Sequence, residues 1–270
     1  MVATLACQAS GRGDDGVADG VALVRPVAET QPVPSDDDAA DDPAIWRHPT
    51  EPSASLIVGT DKKRGLGVYR LDGSLVAFHE VGPQNNVDLR ADVVLAPGYR
   101  AMTLVASSDR DENTFRLFEL SPAGELVEVG HRPIETQLDG AYGLCMYHSA
   151  ATGQAFVFIN DKAGRVEQWR LLPAGEPLRP RVDAALVRAF YVGGQTEGMA
   201  ADDRLGWLYV GEERTGCGAT TPSLGPCLRT TPMPRASASA SRWTSCRPTA
   251  GCRPTSRGST WPARLRPRAC

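Results

Sequence analysis

The chain has 270 residues, 41% of them hydrophobic and 23% charged, and a formal net charge of -3. Residues 214–270 hold ten of the 29 Lys and Arg, all Arg, and none of the 32 acids, so the first 213 residues carry 19 bases against 32 acids, a net of -13. An acidic body argues against a nucleic-acid surface and suits bound cations, and there is no apolar run of about 18 residues to span a bilayer.

Residues 1–28 read as a disordered remnant of export and linker sequence. "MVATLACQASGRG" has neither a charged start nor an apolar core, so it is not a whole signal peptide. "TLAC", Thr4 to Cys7, followed by polar Gly and Asp, reads as the end of a lipoprotein signal. This predicts a secreted, periplasmic or outer-membrane lipoprotein with a lipid anchor and no membrane span. "SDDDAADDP", Ser35 to Pro43, has the composition of a calcium loop but lacks the Gly and terminal Glu of an EF-hand.

Residues 29–213 repeat. "LIVGTDKKRGLGVYRLDG" from Leu56, "TLVASSDRDENTFRLFELS" from Thr103, "AFVFINDKAGRVEQWRLLP" from Ala155 and "WLYVGEERTG" from Trp207 align with one another. Each is an apolar strand, a polar turn with Gly or Asn, and an alternating strand, which is the pattern of a β-hairpin. Asp61, Asp109, Asp161 and Glu213 mark the common register, 48, 52 and 52 residues apart. A further strand precedes each hairpin: "DDPAIW", "NVDLRADVVL", "AYGLCMY" and "TEGMAADD", opening at Asp42, Asp88, Tyr142 and Glu197. About four strands per repeat of roughly 50 residues, with no convincing helix, predicts the blades of an all-β propeller. Blades bury their faces only against neighbours, so about four in-frame blades make an incomplete ring.

Residues 214–270 break this pattern. They contain no Asp, Glu, Lys, Asn, Gln, His or Tyr, the residues whose codons carry A in the middle. Except for Leu224, Leu228, Met233 and Leu265, every residue there has G or C in that position, as when the wobble base of a GC-rich gene is read as the middle one. A frameshift near Arg214 is the expectation, with the tail disordered. An octapeptide Val-Trp-Arg-Tyr-Asp-Ala-Glu-Pro, suitably encoded and read one base later, yields "CGATTPSL", residues 217–224. The rival reading is an authentic Arg-rich tail that binds anions. The five tail cysteines form no C-x-x-C pair, so a zinc site is disfavoured.

The residue after each register acid is basic: Lys62, Arg110, Lys162 and Arg214, with Lys63 beside Lys62. Equivalent positions of a propeller converge on one mouth of the channel, where like charges repel. A ligand with several phosphates would offset that cost. Asp41, Asp42, Glu197 and Glu213 share the neighbourhood, and oxygen donors without His or Cys suit calcium. His131 and His148 lack metal spacing, and "GLG" at Gly65–Gly67 leads into a strand, not the helix of a dinucleotide site.

With "DAADDPAIW" (38–46), "TDKKRGLGVYRLDG" (60–73), "NNVDLR" (85–90), "AYGLCMYHS" (141–149) and "QTEGMAADD" (195–203), the chain resembles the β-propeller (alkaline, calcium-dependent) phytases over about Glu29 to Glu213. The resemblance implies a six-bladed propeller, expected to be monomeric, that binds calcium and hydrolyses phosphate monoesters of phytate. It implies that Lys62, Lys63, Arg110, Tyr142 and Lys162 contact substrate phosphates. Asp41, Glu197 and Glu213 would hold catalytic calcium ions, and Glu29 and Asp42 a structural one. Metal-activated water would be the nucleophile. The family's later blades supply further acidic ligands, in whose place stands the tail. The alternatives are a non-catalytic propeller that binds phosphorylated ligands, and an inactive fragment.

Overall fold

The computed structural model describes residues 26–213, 216–220 and 229–230. Four antiparallel sheets follow one another along the chain. The first holds β1 (Ala40–Trp46), β2 (Leu56–Asp61), β3 (Gly65–Arg70) and β4 (Leu75–Glu80) in that order. The second holds β5 (Val87–Val93), β6 (Met102–Asp109), β7 (Thr114–Leu120) and β8 (Leu126–Glu128), with β9 (Ile134–Glu135) also paired to β7. The third holds β10 (Leu144–His148), β11 (Ala155–Asn160), β12 (Arg165–Glu176) and β13 (Arg179–Tyr191). The fourth holds β14 (Thr196–Asp202), β15 (Trp207–Glu212), β16 (Gly216–Thr220) and β17 (Arg229–Thr230). There is no α-helix among the described residues, only one 3-10 turn at Pro52–Ala54.

This is the all-β, propeller-like arrangement expected from the repeats. The aligned hairpins are the second and third strands of each sheet, and the preceding strands, β1, β5, β10 and β14, pack one against the next as the inner row. "GLG" opens β3, a strand. The core lies between sheets, not within one. Trp46, Val58 and Val68 of the first blade meet Leu89, Val105 and Phe118 of the second. Leu104, Phe115 and Leu117 meet Met146, Val157 and Trp169 of the third. Tyr147, Phe158 and Val166 meet Leu208 and Val210 of the fourth. β11, covered on both faces, is buried along its whole length, whereas β15 alternates between buried and open.

The register acids have a local cause. Asp61, Asp109 and Asp161 are buried, and each carboxylate accepts backbone N–H groups of its own hairpin turn. Asp61 takes Lys63 N at 2.9 Å. Asp109 takes Asp111 N and Glu112 N, both at 3.1 Å. Asp161 takes Ala163 N at 2.9 Å and Arg165 N at 3.0 Å. A short acidic side chain that folds back on its turn in this way is an Asx turn.

Two expectations need correction. Tyr142 does not open a strand; β10 begins two residues later. Its N–H still donates to the Asn160 carbonyl at the end of β11, at 2.8 Å, but its carbonyl is taken by the Ser108 hydroxyl of the second blade at 2.8 Å. Within the tail, expected to take no fold, Gly216–Thr220 pairs with β15 and Arg229–Thr230 with β16. Backbone ladders need no particular side chain, so "GCGAT" can extend a sheet whatever its origin. "TLAC", Arg214 and the rest of the tail lie outside the described residues.

Candidate active site

Because Asp61, Asp109 and Asp161 are tied into their turns, the next side chain is thrown out at the same end of the first three blades. Arg110 and Lys162 there converge on one aromatic ring. The Arg110 guanidinium lies 5.6 Å and the Lys162 ammonium 4.6 Å from the Tyr142 ring centroid. Arg110 also donates to Asn85 Oδ1 at 3.1 Å. The Tyr142 hydroxyl faces the Glu197 carboxylate. Burial, hydrogen bonding toward Glu197 and the charges of Glu197 and Glu213 push its pKa up to about 12, so the phenol stays protonated.

Glu197 reaches this position because its strand comes very close. The carbonyl of Glu197 lies 1.9 Å from where a Cβ on Gly143 would stand, and Asn160 Nδ2 donates to that carbonyl at 3.1 Å. Only glycine allows β14 to approach the start of β10 this closely. Glu213, unlike the three buried register acids, is exposed. It accepts from Gln195 Nε2 at 2.8 Å.

Lys62 and Lys63 occupy the equivalent end of the first blade but face the acidic segment before β1. Lys62 Nζ is 2.8 Å from Asp38 Oδ2 and 3.5 Å from Asp41 Oδ1. Lys63 Nζ donates to the Asp36 carbonyl at 2.7 Å and lies 3.3 Å from Asp37 Oδ2.

The expected acidic cluster is divided. Asp41 faces Lys62. The Asp42 carboxylate turns toward the second blade, taking Val87 N at 3.0 Å and Asn86 Nδ2 at 3.1 Å. Burial, with the charges of Asp88 and Asp41, pushes its pKa up to about 6 against those two hydrogen bonds. Glu29 is exposed and lies elsewhere, its carbonyl where a Cβ on Gly73 would stand, in the β3–β4 turn. No group of three or more His, Cys, Asp or Glu is gathered for a metal among the described residues. Glu197 and Glu213 fit calcium in donor chemistry, both being oxygen ligands near one phenol. Two carboxylates fall short of the roughly six to eight oxygens that calcium takes.

A family model described as Phytase matches residues 6–223. The chain belongs to the phytase family. A 3-phytase of Bacillus subtilis (strain 168) is 40% identical over 190 residues, 68% of this chain and 48% of the relative. This phytase-family chain therefore spans about half the length of the curated relative it matches. A solved structure of a functionally unknown protein from Desulfotomaculum acetoxidans DSM 771 aligns over 69% of this chain and 52% of its own, at 12% identity and a TM-score of 0.47.

Two sets of residues around these cations were not evident in the sequence. Asn85, Asn86, Ser108 and Asn160 are buried polar groups that tie the inner strands together beneath the cations. Arg90 joins three blades. Its Nε donates to Asp203 at 2.7 Å, Nη1 to both oxygens of Asp88 at 2.9 Å, and Nη2 to the Met146 carbonyl. The signal was a charge within an inner strand, at Arg90, and polar residues at strand ends, at Asn85, Asn86, Ser108 and Asn160.

Proposed function

We propose that the protein hydrolyses phosphate monoesters of phytate, myo-inositol hexakisphosphate, with calcium as cofactor. The observation that carries this reading is the convergence of Arg110 and Lys162 on the Tyr142 phenol, with the Glu197 carboxylate facing the same hydroxyl. Family membership and the 3-phytase relative support it. Arg110 presents a planar fork suited to two oxygens of one phosphate, and Lys162 and Lys62 act as point charges. Lys63 extends the row. Together they offset negative charge as a phosphoryl group is transferred.

In this reading Asp41, Glu197 and Glu213 hold calcium near the substrate, and Glu29 and Asp42 hold a structural ion. Calcium, when bound, bridges acidic protein to anionic substrate and activates water for attack at phosphorus. The same reading takes the protein to be exported, lipid-anchored at Cys7 and monomeric.

The second reading is a propeller that binds phosphorylated ligands without turnover. It is favoured by cations gathered in the absence of a gathered metal group among the described residues. The assay that separates them is phosphate release from calcium phytate at neutral to alkaline pH. Hydrolysis predicts release abolished by chelator, and a fall of about 100-fold or more in Lys62→Ala and Glu197→Ala, in line with loss of one charge-stabilising group. Phytate binding without release would leave only the second reading.

A further inference from the structure

The acidic segment before β1 does more than approach the first blade; it sits on the cations. Its ends are pinned. Ser35 N donates to Asp61 Oδ2 at 3.1 Å, and the carbonyl of the buried Ala39 takes Lys62 N at 2.8 Å. Between these pins the chain turns through Asp37, whose φ is 61°. The turn delivers Asp37 to Lys63 and Asp38 to Lys62, with the Asp36 carbonyl also on Lys63. The acid side chains lie on the solvent side, 88% and 92% exposed, while Lys62 beneath is only 17% exposed. Asp38 thus covers Lys62, and Asp37 occupies part of the approach to Lys63, which is 46% exposed.

We propose that the Ser35–Ala39 strap is an intramolecular competitor that lowers the affinity of Lys62 and Lys63 for polyanions, a role that rests on reading those lysines as phosphate contacts. Exposed ion pairs are individually weak, so the tip can be displaced while Ser35 and Ala39 hold its ends. A ligand with several phosphates displaces both carboxylates in one event. Released inorganic phosphate meets the same competitor, which favours its departure.

The test is calorimetric binding of myo-inositol hexakisphosphate to the full chain in chelator-treated buffer, so that no metal bridges the partners. Asp37→Asn/Asp38→Asn should bind about three- to tenfold tighter than the parent, the sum expected of two exposed pairs. Glu51→Gln/Glu176→Gln, exposed acids outside the register turns, removes the same charge away from the cations of the site. It should change binding less than twofold. Equal gains in both double variants would reduce the effect to net charge and overturn the strap. Lys62→Gln/Lys63→Gln, checked for an unchanged melt, should weaken binding at least tenfold. If it binds like the parent, the reading of the lysines fails. If it weakens while the Asp37/Asp38 variant gains nothing, the strap alone fails.

Discussion

At the scale of single residues, Tyr142 and Asp42 show what burial does to an ionisable group. Tyr142 serves two cations with its ring, and its hydroxyl faces the Glu197 carboxylate. Tyr142→Phe keeps the ring and should weaken phytate binding less than threefold, whereas Tyr142→Ala removes the platform and should weaken it about fivefold or more, each cation–π contact being worth about 0.5–1 kcal/mol. Calorimetry with phytate checks both. Asp42 carries a carboxylate whose folded pKa, about 6, stands above its ordinary value of 3.8. The folded state therefore binds the proton more tightly, and stability falls as pH rises from about 4 to about 6. Asp42→Asn keeps an oxygen for Val87 N and removes the buried charge. It should raise metal-free stability at pH 7 by about 1–3 kcal/mol and flatten the pH dependence of Tm between pH 4 and 6. A loss of stability at pH 7 would show that the ionised form is needed. The bases at the hairpin ends were legible because one charge recurred at one register position. The division of the acids was not, since Asp41 and Asp42 are sequence neighbours whose side chains leave the strand on opposite sides.

At the scale of elements, the hairpins were legible from their apolar alternation and turn residues. The fourth strands were not: β8 is three residues long, and β13, paired to an extended β12, runs on far past the aligned repeat. Neither length is set by a local pattern; edge strands follow what covers them. Also hidden was how inner strands are joined. Arg90 is 17% exposed and holds Asp88 and Asp203, which in turn take Met146 N and His148 N. Arg90→Met leaves two half-buried carboxylates uncompensated, and urea unfolding should show a loss of about 2–4 kcal/mol, somewhat below the cost of breaking a fully buried pair. Gly143→Ala sets a methyl against the Glu197 backbone. It should cost about 1–3 kcal/mol as an overpacked contact and, by moving β14, weaken hydrolysis and phytate binding together. Parental stability and activity in this variant would mean that the two strands have room to spare.

At the scale of the whole molecule, each blade is stabilised by its neighbours. In the fourth blade, β15 has neighbours in the third blade on one face, and its own third strand is unlike the others. Where β3, β7 and β12 bring Leu66 and Val68, Phe115 and Leu117, and Val166 and Trp169 into the core, β16 is written Gly-Cys-Gly-Ala-Thr. Hydrogen exchange should accordingly be slowest in β6 and β11 and fastest in β15 and β16. We propose that this contrast records the shift of reading frame inferred from the tail composition, a hypothesis decided directly by the nucleotide sequence around codon 214. It also has a protein-level test. Residue 218 is paired with Val210, which is buried against the third blade, and directly opposed residues share a face. Replacing residues 217–224 by Val-Trp-Arg-Tyr-Asp-Ala-Glu-Pro puts the indole beside Val210 and extends the core between the third and fourth blades. Burying one large apolar side chain is worth about 1.5–3 kcal/mol, or roughly 5 °C in Tm for a domain of this size. A replaced chain that melts no higher, with exchange in β15 unchanged, would show that the octapeptide does not belong to this sheet.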